Sequence, residues 1–162
     1  MPLTTVLIAD FEKAGRATCR RLLQPDKKIK VVGEVRSGLE AMTAAAKLKP
    51  HVLLLGPSVV GGTGVSLVST ILEKSPKTRI ILLSERASDA DILDGLSQGA
   101  LGYLANRVLP TNLTKAVRAV AAGEAWVPRR MVGEIIDRLA HLPAQGGAHG
   151  IPGQRWGRRT SN

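Results

Sequence analysis

The chain alternates short, uninterrupted apolar runs with longer stretches in which apolar residues recur every three or four positions. TTVLIA (4–9), KIKVVGEV (28–35), HVLLLG (51–56), RIILLS (79–84) and GYLA (102–105) are the runs. Continuous Val, Ile and Leu marks strands buried on both faces; a strand with one wet face would alternate. The intervening stretches 12–24, 37–49, 64–75, 88–99 and 110–123 read as helices. Ser37 with Glu40 three residues on is a capping signal. Ser88, the acids behind it and Gly99 bracket another helix. Five strands each followed by a helix predict an α/β fold, a doubly wound five-stranded parallel sheet, because right-handed crossovers cover both faces. An extra C-terminal helix is expected from Arg129 to His141, with Met131, Ile135, Ile136 and Leu139 on one side. The expected divisions are a domain over 1–124, a linker helix over 125–141 and a flexible Gly/Pro/Arg tail over 142–162.

Composition narrows the picture. The chain has 162 residues, 44% of them hydrophobic but only four aromatic: Phe11, Tyr103, Trp126 and Trp156. Leu, Val, Ile and Ala must therefore fill the core, which suits layered α/β packing. The net charge is +10, of which Arg155, Arg158 and Arg159 in the acid-free tail supply +3 and the body +7. A basic balance favours an acidic partner such as DNA, and those arginines are the candidate nucleic-acid contacts. No five-residue block of like charge exists, so the sequence marks no dedicated binding arm. Cys19 stands alone, which excludes an intramolecular disulfide and a cysteine metal site and suggests a small apolar filler. His51, His141 and His149 lack metal-ligand spacing, so no metal or cofactor is expected. Asp10, Glu12 and Lys13 interrupt the first apolar stretch, and no run approaches membrane length. A cytoplasmic protein with no membrane partner is the expectation.

Ligands of open parallel sheets bind beyond the C-terminal ends of the strands. Those ends carry Asp10-Phe11, Gly56, Ser84 and the segment Tyr103 to Asn106. The segments VLIADFEKAGR, VVGEVRSGLEA, KPHVLLLGPSVVGGTG, RIILLSE, QGALGYLAN and LTKAVRAVAAGEAWVP together resemble a bacterial response-regulator receiver domain of the NarL/FixJ type, over roughly residues 4–140. The resemblance implies a flavodoxin/CheY-like (βα)5 fold. It also implies a site in which two acids hold Mg²⁺, an aspartate accepts a phosphoryl group, and a hydroxyl and a lysine stabilise the product. On this chain the acid pair becomes Asp10-Phe11 and the acceptor position Gly56. The hydroxyl is Ser84, the lysine position Asn106 and the switch aromatic Tyr103. The nucleophile, one metal acid and the ammonium are missing together, which describes a degenerate site with Phe11 as a candidate filler of the emptied pocket.

Bland readings stand beside these. Ser84 also fits an ordinary strand-end hydroxyl, Tyr103 a static packed ring, and GPSVVGGTG a flexible turn, since it matches no phosphate-binding motif. Asp91 and Asp94, with Asp89, are a candidate interaction surface for Lys115 and Arg118 of a partner copy, although acids at a helix start also complement its dipole. The leading expectation is a phosphorylation-independent receiver acting as a protein-interaction or dimerisation module in bacterial signal transduction and transcription regulation. A homodimer or another regulator is the expected partner. Two alternatives remain open: a DNA-associated regulator using the basic body and tail, and a small-ligand sensor using the emptied pocket. No nucleophile–base pair supports an enzyme. Relatives of this type usually continue into a helix-turn-helix domain, which twenty-one residues cannot hold, so the chain reads as a stand-alone receiver or part of a longer regulator.

Overall fold

The computed structural model describes residues 3–56, 65–86 and 88–141. The chain divides into two units, Met1–Val127 and Pro128–Asn162. The first contains β1 (Thr4–Ala9), α1 (Lys13–Leu23), β2 (Ile29–Val35), α2 (Gly38–Leu48), β3 (Val52–Leu55), α3 (Val65–Lys74), β4 (Arg79–Ser84), α4 (Asp89–Ser97), β5 (Gly102–Ala105) and α5 (Leu109–Ala121). The second contains α6 (Val132–Ala140), whose expected first turn is instead a 3-10 turn, Arg129–Met131. Ile136 is exposed, in contrast to its predicted place on the apolar side with Ile135. Neighbouring helical residues point about 100° apart, so the two cannot share one narrow face.

The strands form one parallel sheet in the order β2-β1-β3-β4-β5. This is the doubly wound arrangement predicted, with the order reversing between β1 and β3. Alternate residues of each strand enter opposite cores, which is why the apolar runs are unbroken. Val6 and Ile8 pack with Cys19, Leu23, Leu113 and Val117 on the α1/α5 side. Leu7 and Ala9 pack with Ala41, Ala45, Val68 and Ile71 on the α2/α3 side. Each fully buried Leu or Ile contributes roughly 1.5–3 kcal/mol, so the two layers dominate the stabilising side of the balance.

Local signals end the helices as expected. Ser37 Oγ accepts from the Glu40 amide at 3.1 Å, and Ser88 with Asp91 forms a reciprocal capping box at the start of α4. Gly99 and Gly123 adopt φ of 117° and 91° after α4 and α5, a left-handed geometry that glycine enters without strain. One feature escaped the sequence pattern. Beyond α5 the chain runs beside β5, with Tyr103 N–H donating to Trp126 O at 2.8 Å and Trp126 N–H to Leu101 O at 3.0 Å. A single bridge, Gly102 to Trp126, covers the outer edge of the sheet there.

Candidate functional site

The C-terminal ends of β1 and β3 bring Asp10 and Gly56 into contact. Asp10 N–H donates to Val35 O at 3.0 Å, and Gly56 N–H to Ala9 O at 2.7 Å, so sheet pairing continues one rung past the strands. The Asp10 side chain turns inward and is 6% exposed. Its Oδ1 accepts from the Glu12 amide at 2.9 Å. A Cβ placed on Gly56 would stand 2.6 Å from Asp10 Cγ, 2.7 Å from Oδ2 and 2.9 Å from Cβ. A Cβ on Gly15 of α1 would overlap the same Oδ2. Two glycines from separate elements thus leave the volume that one carboxylate fills.

Phe11 does not fill this pocket, contrary to the expectation, because it is 67% exposed. β1 ends at Ala9 and the chain bends at Phe11 and Glu12, a turn closed by the Glu12 amide on Asp10 Oδ1, so Asp10 is directed inward and Phe11 outward. Arg16 was not singled out by the sequence, yet it holds the turn. Its Nη1 donates to Asp10 O at 2.6 Å and Phe11 O at 3.1 Å. Its Nε lies 4.0 Å from Glu34 Oε1, and Arg20 Nη1 lies 3.2 Å from Glu34 Oε2. Nothing in the sequence separates Arg16 from Arg20 or Arg21; only the way α1 folds back over the turn does.

Ser84 ends β4, paired in register with Ala105, and Asn106 follows at the start of a 3-10 turn, Asn106–Val108. Ser84 Oγ accepts from the Arg86 amide at 3.2 Å. Tyr103 is partly buried against the α2/α3 core. Asp91 and Asp94 are exposed on α4, Asp91 serving in the capping box. Lys115 and Arg118 are exposed on α5. Arg118 is paired within the chain, Nε donating to Asp26 Oδ2 at 2.7 Å. The Lys28 amide on Asp26, and then Arg118, hold that carboxyl below the usual carboxylate range. These groups surround an open groove of about 380 Å³ lined by Leu22, Pro25, Lys27 and Thr114 among others. Arg155, Arg158, Arg159 and most of GPSVVGGTG lie outside the described residues. Among the described residues, no three His, Cys, Asp or Glu are grouped to hold a metal ion.

Asp10 after the first of five parallel strands, opposite the end of the third, stands where open parallel sheets place their ligand sites. Residues 6–118 match the response regulator receiver domain family, and the chain belongs to it. It is a receiver domain of two-component signalling, homologous to transcriptional regulators of the NarL group. DevR/DosR of Mycobacterium tuberculosis, a DNA-binding transcriptional activator, is 29% identical over 137 residues, covering 85% of this chain and 63% of the relative. The nitrate/nitrite response regulator NarL of Escherichia coli K12 is 32% identical over 120 residues, 74% of this chain and 56% of that protein. The chain therefore spans a little over half the length of these relatives. The apo receiver domain of RcsB from Salmonella enterica superposes with a TM-score of 0.73 at 27% identity, over 86% of this chain and 99% of that one. No helix among the described residues is long and apolar enough to cross a membrane.

Proposed function

We propose that this receiver domain works without aspartyl phosphorylation, as a protein-interaction module in bacterial transcription control. The observation that carries the reading is the Asp10 carboxylate packed against Gly56. Phosphoryl transfer to a carboxylate needs the nucleophile in line with the phosphorus and cations on the equatorial oxygens. Position 56 has no side chain, and the volume beside it is already occupied. Magnesium does not fit these residues. It asks for near-octahedral oxygens with one or two free carboxylates, whereas Asp10 is walled by two glycines, bonded to the Glu12 amide, and followed by an outward phenylalanine. Asn106 supplies an amide where the resemblance places an ammonium. The site is degenerate as a unit.

What remains is the scaffold and its surfaces. We read residues 1–124 as the receiver module, 125–141, which carries the helix Val132–Ala140, as a linker segment, and 142–162 as the tail of a cytoplasmic protein. Asp91 and Asp94 on α4, and Lys115 and Arg118 on α5, are candidate contacts to a second copy or another regulator.

Incubation with acetyl phosphate and Mg²⁺, followed by intact-mass measurement, tests the phosphorylation claim. The unmodified mass is expected, and a stoichiometric acid-labile adduct would overturn the reading. Light scattering with pull-down tests the interaction claim. A dimer or a captured regulator is expected; a monomer with neither overturns it.

A further inference from the structure

Six of the nine lysines scattered along the sequence converge on one end of the fold. Because all five strands are parallel, the connections entering β2, β3 and β4 lie together at the N-terminal edge of the sheet. Each connection carries an exposed lysine pair: Lys27 and Lys28, Lys47 and Lys49, Lys74 and Lys77. The acids in the same segments are Asp26, already engaged by Arg118, and Glu73. Among the described residues no salt bridge engages any of the six lysines.

We propose that this end of the sheet is a docking surface for the phosphate backbone of duplex DNA. Lys47 and Lys74 also complement the C-termini of α2 and α3. Lys49 caps α2, and its Nζ donates to Lys74 O at the end of α3 at 3.5 Å, whereas Lys27, Lys28 and Lys77 lie beyond the helix ends, where the dipole does not explain them. From β2 to β4 is three strand spacings, about 14 Å, and a duplex presents roughly eight phosphates over that length. The surface is also held in place. Ser75 Oγ lies 2.6 Å from Thr78 Oγ1, which donates to Pro50 O at 2.7 Å. Thr4 N–H donates to Lys28 O at 2.8 Å, and Arg79 N–H to His51 O at 2.9 Å. His51 in turn is fixed by Thr5, whose amide donates to Nδ1 at 2.9 Å.

The side-chain chemistry selects among polyanions. Protein interfaces are anchored by Trp, Tyr and Arg and are depleted in Lys, the reverse of this face. Single-stranded nucleic acid wants aromatic stacking platforms, and the described aromatics lie elsewhere: Phe11 at the opposite end, Tyr103 and Trp126 at β5. A membrane surface asks for aromatic or apolar anchors beside the basic residues, where this end exposes, among the described residues, only Leu3 and Leu48 as large apolar side chains. Lysines alone suit contacts to phosphates that carry no sequence information.

The inference stands apart from the acceptor site, which lies at the other end of the sheet, so either can fail alone. Fluorescence anisotropy of a labelled duplex of arbitrary sequence, titrated with the full chain from about 50 to 200 mM salt, gives the test. The affinity is expected to fall log-linearly with salt, with a slope of roughly −3.5 to −5.5 for four to six phosphate contacts. The triple variant Lys27→Glu, Lys49→Glu, Lys77→Glu is expected to lose binding more than tenfold. The triple variant Lys13→Glu, Arg36→Glu, Arg107→Glu, with the same charge change at the opposite end, is expected to keep most of it. Circular dichroism melting checks that both fold, and the Lys→Gln version replaces any that does not. No binding of the duplex at the lowest salt overturns the proposal. So does equal loss from both triples, loss only when Arg155, Arg158 and Arg159 are changed, or binding of anionic phosphatidylserine vesicles in place of the duplex.

Discussion

The Asp10 carboxylate rests on the Cα of Gly15, so that any Cβ at position 15 would overlap Oδ2 and stand 2.8 Å from Cγ. Glycine within a helix ordinarily destabilises it by about 0.5–1 kcal/mol relative to alanine. Here the sign should reverse. Gly15→Ala is expected to destabilise by roughly 1–3 kcal/mol, the range of overpacked cores. Combined with Asp10→Ala, the same change should become neutral or favourable. Urea midpoints for the four proteins at constant m give the coupling directly. Additive effects would place the carboxylate elsewhere.

Restoring the acceptor alone should fail. Gly56→Asp puts a Cβ 2.6 Å from Asp10 Cγ and a second carboxylate beside the first. A loss of roughly 1–3 kcal/mol and no phosphoryl adduct are expected. Adding Phe11→Asp and Asn106→Lys supplies the other two missing groups. Mass spectrometry should then find an acid-labile, Mg²⁺-dependent adduct in the triple variant only.

Cys19 gives a pH signature. Burial first, then the charges of Asp10 and Glu34, push its thiol up from 9.0 to about 12. The folded thiol stays protonated while the unfolded one ionises above 9.0, so the unfolded state binds fewer protons in that window. The contribution is fully present below pH 9 and is lost as pH rises toward 12. Urea midpoints should fall across this range in the parent and fall less in Cys19→Ala. Thiol labelling of the native chain at pH 8 should be slowed roughly 1,000-fold or more against the unfolded chain.

Thr78 is 2% exposed and links two connections through its hydroxyl. Since it donates to Pro50 O, Ser75 must donate to it. Thr78→Val keeps the shape and strands both partners, so a loss of roughly 1–3 kcal/mol is expected in chemical denaturation. A neutral result would show that water replaces the hydroxyl. If the basic end docks DNA, the same variant should weaken that binding only slightly while folded.

The strands were legible because a doubly covered sheet needs continuous apolar runs, and β1 and β4 show them without interruption. The helix ends at Ser37, Ser88 and Gly99 were legible because capping is local chemistry. The pairing of Trp126 with β5 was not, since a single bridge leaves no periodicity. Nor was the role of Arg16, which depends on α1 folding back over the preceding turn. Phe11 was expected inside because it stands beside a pocket emptied of charge, but the chain bends after β1 and turns Asp10 inward and Phe11 out.

The sequence by itself determined the order and type of the elements, the family, and the absence of a carboxylate at position 56, because these depend on residue type and spacing. Only the tertiary structure decided that Asp10 occupies the space beside Gly56 and that lysines 27, 28, 47, 49, 74 and 77 share one end of the molecule. Both rest on contacts between segments distant in the chain. Close packing assigns each volume to one side chain, and parallel strand order gathers what sequence spacing keeps apart.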